Sequence, residues 1–396
     1  MRKLLTALAI FFSTVILSQQ QSKLRRVVTI GFLNVENLWD TVRSADYIDG
    51  LKDIKNPAFH RSIPLDSVKF LESEKYDGVW SDGALIGKKT VRYQTGSEEF
   101  TPQSAKNYNT RVYKTKLANE AKVISEMGAR YTQTAPAIVG LIEVENRQVI
   151  EDLIKEPALK KHDYGIIHYN SYDYRGIDVA LIYQKRRFTP TNSVKKELKI
   201  FGENGKREYT RDILVVTGFL DNEKVAFFMN HWPSRRGGEA VSLQKRNAAA
   251  ALLKQQMDSI RATDPSTKLF AMGDFNDDPV SSSLKNYLKA QPSPQDLSET
   301  TPYLNLMYSM YKKGIASLAY QDAPNLFDQI IVSKNLISSE VTKEYSVYKT
   351  EIFAPPYLIS KEGNFKGYPF RSWNGDQFTG GYSDHFPAFV ILQKEP

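Results

Sequence analysis

A short apolar run, Leu269–Met272, stops at Gly273 and gives way to Asp274-Phe-Asn276-Asp-Asp-Pro279. An apolar stretch of this length between a lysine and a glycine predicts a buried strand. Pro279 bars any continued sheet pairing. Asp274 and Asn276 are alternate residues, which on an extended chain point the same way. A carboxylate and an amide set together at a strand tip can hold a water and a phosphate oxygen. The same letters also spell a turn followed by a helix cap, so the rest of the chain has to decide between the two.

The rest of the chain repeats the pattern. The β-branched run Val27–Leu33 ends in Asn34-Val-Glu36-Asn37, and Pro136–Ile142 ends in Glu143-Val-Glu145. Lys224–Met229 runs into Asn230-His231-Trp-Pro-Ser-Arg235-Arg236. Asp328 lies in the strand Leu326–Ser333, and Asp384-His385-Phe-Pro precedes a last strand, Ala388–Leu392. A hairpin is expected from Tyr164–Tyr169 and Ile177–Tyr183, with Arg175 in its turn, and strands near Lys196–Phe201 and Arg211–Phe219. Helices are expected over Arg111–Gly128, where Leu117, Ala121, Ile124 and Met127 share a face, and over Arg147–Leu159 and Ala240–Ala262. Strands and helices interleaved in this way predict an α/β architecture. Residues 41–110 and 346–381 lack clear periodicity and are read as insertions in one domain over 19–396.

The first residues, Met1-Arg-Lys and the apolar Leu4–Leu17, read as an export leader spanning 1–18, cut near Ser18. A secreted or periplasmic protein is the expectation. No later segment approaches the roughly 18 apolar residues of a spanning helix, so no stable membrane insertion is expected. The chain has no cysteine, which excludes thiol catalysis, zinc ribbons and a cysteine-linked lipid anchor. The formal charge of +8 falls to +6, 51 basic against 45 acidic residues, once Arg2 and Lys3 are removed. That surplus suits a polyanionic partner such as nucleic acid.

Five carboxylates, two amides and two histidines thus fall in or beside expected strand ends: Glu36, Glu143, Asp274, Asp328 and Asp384, then Asn34 and Asn276, then His231 and His385. In layered α/β folds such tips converge on one rim. Hard oxygen ligands without cysteine point to Mg²⁺ or Mn²⁺, with Ca²⁺ as a third option. A carboxylate such as Asp274 can deprotonate a water. A histidine held by a carboxylate, as His385 by Asp328, keeps one tautomer and can bond or protonate a phosphate oxygen, and His231 can do so on the leaving-group side. His60, His162 and His168 are read as structural or surface residues. Two distant histidines without His-x-x-x-His spacing make no zinc motif.

Together, Leu33-Asn34-Val-Glu36-Asn, Leu141-Ile-Glu143-Val, Asn230-His231-Trp-Pro, Gly273-Asp274-Phe-Asn276, Phe327-Asp328-Gln-Ile-Ile-Val-Ser and Ser383-Asp384-His385-Phe-Pro resemble, in order, the motifs of the endonuclease/exonuclease/phosphatase superfamily. That resemblance implies a four-layer αββα sandwich, deoxyribonuclease I-like, and metal-dependent phosphoester hydrolysis. It implies that Asn34, Glu36, Glu143 and Asp384 bind or support the metal. Asp274 would position the nucleophilic water, Asn276 would hold a phosphate oxygen, and Asp328 would orient His385. His231 matches the histidine of deoxyribonuclease-like members. Arg175, Asn230 and Arg235 are the expected contacts to substrate phosphate. The chain departs from many members at Ile142, where glutamine is usual, and at Met229, where asparagine is usual. The expected function is a secreted, monomeric nuclease, an endonuclease acting on DNA or RNA. The alternatives are a small-molecule or lipid phosphodiesterase or phosphatase (sphingomyelinase-like) on the same centre, and a non-catalytic binding module.

Overall fold

The computed structural model of the protein describes residues 25–41, 79–81, 84–86, 99–171, 173, 175–202, 205 and 207–396. The expected leader, His60 and most of the first expected insertion lie outside those residues. Six strands form the first sheet: β1 (Arg26–Leu38), β2 (Ile138–Val144), β3 (Tyr164–His168), β4 (Asp178–Gln184), then, late in the chain, β11 (Ser346–Ile352) and β12 (Ala388–Lys394). Their spatial order is β11-β12-β1-β2-β4-β3. The second sheet holds β5 (Phe188–Lys196), β6 (Ile213–Leu220), β7 (Glu223–His231), β8 (Lys268–Asp274), β9 (Tyr303–Asn305) and β10 (Asp328–Ser333). Its order is β9-β10-β8-β7-β6-β5. Each sheet has one parallel pair at its centre, β1 with β2 and β7 with β8, and antiparallel neighbours outside it.

Side-chain alternation places the layers. Val28, Ile30 and Phe32 of β1 turn inward against Phe227, Met229, Phe270 and Ile330 of the other sheet. The opposite face of the first sheet, with Leu33, Val139 and Leu141, is covered by helices α1 (Thr110–Glu126) and α2 (Arg147–Lys155). The outer face of the second sheet packs on α3 (Glu239–Thr263) through Ala249, Ala250, Leu253 and Met257. The result is helix, sheet, sheet, helix, the four-layer sandwich. Burial of each large apolar side chain contributes about 1.5–3 kcal/mol, so these three apolar clusters dominate stability. Helix α1 is capped at its start by Asn109, whose side chain accepts from the N–H groups of Arg111 and Val112. Just past its end Gly128 adopts φ 72°, which glycine takes without strain.

Three expectations need correction. Residues 346–381 do not form an irregular insertion throughout: they begin as β11, an edge strand paired with β12. Their aromatics Phe353, Tyr357 and Trp373 pack onto the helical side of the first sheet. The expected helix 147–159 breaks at Glu156, and Pro157 starts a separate short helix, Pro157–Lys160. The expected strand over 196–201 divides between the end of β5 and a small outlying ladder, in which Ile200 and Phe201 pair with Glu208 and Arg207.

Candidate active site

The ends of β1, β2, β7 and β8 and the start of β10 lie on one rim, together with the segment Ser383–Phe386 that leads into β12. The first two strands do not simply run out there. Pairing between β1 and β2 shifts register between Asn34 and Leu38, and that between β2 and β4 shifts between Ile142 and Val144. Glu36 and Glu143 sit inside those bulges, at φ 46° and 64°. A left-handed glutamate costs roughly 1–2 kcal/mol, and such strain gathers at functional sites. A bulge re-aims a side chain that strict alternation would send elsewhere. Asn276 is also left-handed, φ 49°. It therefore meets Asp274 through a turn: its N–H donates to Asp274 Oδ1 at 2.8 Å. Strand alternation, the expected cause, is not what sets them side by side. Gly273 is required because a Cβ there would lie 2.1 Å from the Asn230 carbonyl oxygen on the neighbouring strand.

Asp328 and His385 join the rims of the two sheets. His385 Nδ1 lies 2.6 Å from Asp328 Oδ2, and Ser383 Oγ donates to the Asn34 carbonyl at 2.7 Å, tying the His385 loop back to β1. Burial opposes charge on His385. Asp328 overcomes it by charge and hydrogen bond, helped by Asp384 and Asp274, and the ring is pushed well above its ordinary value. His231 goes the other way: burial, then Arg211, Arg175 and His385, hold it well below its ordinary value. Its Nε2 is 3.8 Å from Glu143 Oε1 and 3.9 Å from Asp274 Oδ2, too far for direct hydrogen bonds. Its Nδ1 is buried with no hydrogen-bond partner among the described residues. Asp274 itself is raised to about 7, first by burial and then by Asp328 and Glu143, against the pull of His385 and the Asn276 N–H. A carboxylate poised near neutrality can act as a general base.

Beside them, a hollow of about 590 Å³ is lined by Glu36, Asp384, Trp39, Trp373, Lys106 and Arg371, among others. Glu36 Oε2 accepts from the Ser372 N–H at 2.5 Å. Arg371 bridges Glu36 Oε1 at 3.2 Å and Asp384 Oδ2 at 3.3 Å. Even so, burial and the Asp384 charge push Glu36 up to about 8. A carboxylate pair left that short of positive charge fits a hard divalent cation, which needs only one or two protein carboxylates besides water and phosphate. Among the described residues no group of three or more acidic or histidine side chains is arranged as a cage for a metal ion.

Of the expected site residues, the rim gathers Glu36, Glu143, His231, Asp274, Asn276, Asp328, Asp384 and His385. Asn34 stands just beneath, its Oδ1 accepting the Glu36 N–H at 2.9 Å. Arg175 lines the same hollow. Two expected phosphate contacts are corrected. Asn230 is wholly enclosed: its amide donates to the Phe228 carbonyl at 2.9 Å and its Oδ1 accepts from Trp232 Nε1 at 3.1 Å. It fixes the turn after β7 and does not reach a ligand. Arg235 is bound to the Asn276 carbonyl at 3.0 Å and to Asp277 and Asp278 at 3.3 Å, its guanidinium stacked on Phe327. It braces the Asn276 loop.

Three residues of the site were not singled out from the sequence. Arg371 sits in a stretch without periodicity, and only folding brings it to Glu36. Arg211, buried, donates to Asp173 Oδ2 at 2.9 Å and to the Trp232 carbonyl at 2.6 Å. Lys116, wholly buried on α1, donates to Ser372 Oγ at 2.7 Å behind Glu36. Lys116 had a legible signal: with Glu120 it forms an i,i+4 charge pair on the helix's apolar face.

A sequence profile of the Endonuclease/Exonuclease/phosphatase family matches residues 91–394, and the chain belongs to that family. Its members are hydrolases that act on phosphoester bonds and generally use divalent metal ions. No curated protein matches the chain. Similar solved structures include an endonuclease/exonuclease/phosphatase family protein from Bacteroides thetaiotaomicron, with 13% identity, 94% of this chain and 97% of that one covered, and a TM-score of 0.48. A D. rerio TDP2 humanised by 14 mutations is 15% identical over 72% of this chain and 93% of its own, at a TM-score of 0.45. A Bacteroides thetaiotaomicron mannosyl-6-phosphatase is 16% identical over 71% and 93%, also at 0.45.

Proposed function

We propose that this chain is an exported, divalent-metal-dependent phosphodiesterase that cleaves nucleic-acid strands. The observation that carries the reading is that Glu143 and Asp274 each come within 4 Å of His231 beside the His385–Asp328 pair. In this reading Asp274 takes the proton of an attacking water. Charged His385, held by Asp328, donates from Nε2 to a phosphate oxygen. Asn276 spends one Nδ2 hydrogen on the Trp232 carbonyl at 3.0 Å and has the other for the phosphate. His231, neutral, donates a hydrogen bond toward the leaving oxygen. A divalent ion, Mg²⁺, Mn²⁺ or Ca²⁺, held by Glu36 and Asp384 with Asn34 and Glu143 in support, would supply positive charge to the phosphate oxygens.

Support for a polymer substrate comes from the positive balance of the chain and from Lys106, Arg175, Arg236 and Arg371 around the acidic hollow. A lipid substrate has less support: Trp373 is buried and Phe353, Tyr357 and Phe370 are partly covered, while Phe365 and Tyr348 are exposed. Among the described residues no helix is long and apolar enough to cross a membrane. The test is a substrate panel with Mg²⁺ or Mn²⁺: plasmid, single-stranded DNA, RNA, phosphocholine lipids and sugar phosphates, each run beside Asp274→Ala. Cleavage of a nucleic acid by the native chain and not by the variant is expected. Release of phosphate from a sugar or headgroup from a lipid, with all nucleic acids intact, would sink the reading.

A further inference from the structure

A second hollow, of about 320 Å³, lies beside the first and has no part in the chemistry above. Arg175 and Arg236 line both, so the two share a rim. The Trp232 carbonyl links them as well: it accepts from Arg211 on the side of the second hollow and from Asn276 on the side of Asp274. The wall of the second hollow carries Arg175, Arg211, Arg236 and Lys245 against Asp173 and Glu208. Both acids are already engaged, Asp173 by Arg211 and Glu208 by Lys245 at 2.6 Å. The wall is therefore cationic on balance. Two of its buried polar atoms, Arg211 Nε and Thr210 Oγ1, have no hydrogen-bond partner among the described residues. Both atoms lie just under the surface of the wall, and an anion seated against it would bring acceptor oxygens toward these unpaired donors.

We propose that this hollow binds a second phosphate of the substrate, the neighbour along a nucleic-acid strand of the phosphate being cleaved. The inference rests on the phosphodiesterase reading and narrows it to substrates with phosphates on successive units. Two features favour phosphate over a carboxylate. Its oxygens can take bonds from several directions at once, which suits guanidinium, ammonium and hydroxyl groups placed around a concavity. The hollow also exceeds what a lone oxyanion needs and admits the attached sugar.

The test compares adenosine 3′,5′-bisphosphate with adenosine 5′-monophosphate by calorimetry, on the whole protein and on Lys245→Glu and Thr210→Val. Lys245 reaches the wall from α3, and its substitution cancels the positive surplus of the wall. Thr210→Val keeps the shape and removes one hydroxyl, so loss of folding in one variant leaves the other to decide. We expect the bisphosphate to bind the native chain about tenfold more tightly than the monophosphate, the worth of one charge-assisted hydrogen bond, and each variant to shrink that gap. In turnover, the ratio of kcat/KM for a short oligonucleotide to that for bis(p-nitrophenyl) phosphate should fall about tenfold in Lys245→Glu. Equal affinity for the two nucleotides in the native chain would overturn the proposal, as would variants that weaken both alike. A sugar bisphosphate that gains the same advantage while oligonucleotides gain none would overturn the assignment to a strand. If no phosphodiester is hydrolysed at all, the parent reading falls, and the calorimetry still decides the hollow.

Discussion

His385 and His231 flank Asp274, and the protein treats them in opposite ways. His385 is surrounded by acid: Asp328 at 2.6 Å, Asp384 at 4.0 Å, and Asp274. His231 is buried as deeply, but Arg211 and Arg175 stand behind it. Desolvation disfavours charge on both rings; the neighbours decide which one overcomes it. One imidazole is thereby kept charged and the other neutral at neutral pH. Groups pushed apart in this way can take different parts in one reaction. In the proposed reaction His385 has a proton to lend to a phosphate oxygen, whereas His231 offers a hydrogen bond without transferable charge. The reading of His231 as an equal partner in protonation is thus narrowed by the arginines at its back.

The contrast predicts unequal losses. His385→Ala should lower kcat/KM on the order of a thousandfold, within the usual range for a positioned acid–base group. Asp328→Asn should do nearly as much, because the ring then loses both its charge and its orientation. His231→Gln keeps a neutral donor and should cost about tenfold or less. Steady-state kinetics on one diester decide it: equal losses at the two positions would erase the distinction.

The next effect is a pH dependence. Asp274, raised to about 7, must be ionised to accept a proton. Activity should therefore climb as pH rises through about 7, by about tenfold per unit below it, and level off above. The charge on His385 persists beyond that point because its own value is pushed up. Arg211→Lys, which keeps the charge behind His231, should leave the acid limb where it is. An acid limb centred near 4 would mean that the base titrates as an ordinary carboxylate and is not raised by burial.

How much of this could be read in the chain beforehand follows from what is local. Most of the strands were legible because they are short apolar runs closed by turn residues, whereas β5, β9 and β11, all at sheet edges, were not. The gathering of polar residues at their tips followed from topology that such patterns allow. The bulges under Glu36 and Glu143 were not legible, since Asn34-Val-Glu36 and Glu143-Val-Glu145 keep the period of a plain strand, and the slip depends on partner strands distant in sequence. Glu145 shows the consequence. It looks as ligand-like as Glu143, yet its Oε2 accepts the Asp40 N–H at 2.8 Å and holds the chain after β1. Asn230 and Arg235 misled for a related reason. Both adjoin His231 in the sequence, and only the return of Trp232 onto one and of the Asn276 loop onto the other shows that they are scaffold.

Arg371 allows the smallest and most selective test. It adds to the acid side the positive charge that Arg211 supplies to the other, but from a half-exposed loop rather than from the interior. A divalent ion drawn to Glu36 and Asp384 must compete with that guanidinium. Arg371→Ala should therefore tighten Mn²⁺ binding, measured by calorimetry or by the paramagnetic signal of the free ion, by about tenfold, as expected for one screened like charge a few ångströms away. The gain should shrink with added salt. If binding weakens instead, Arg371 is orienting the two carboxylates for the ion, and the two sides of the rim are alike in needing their arginines.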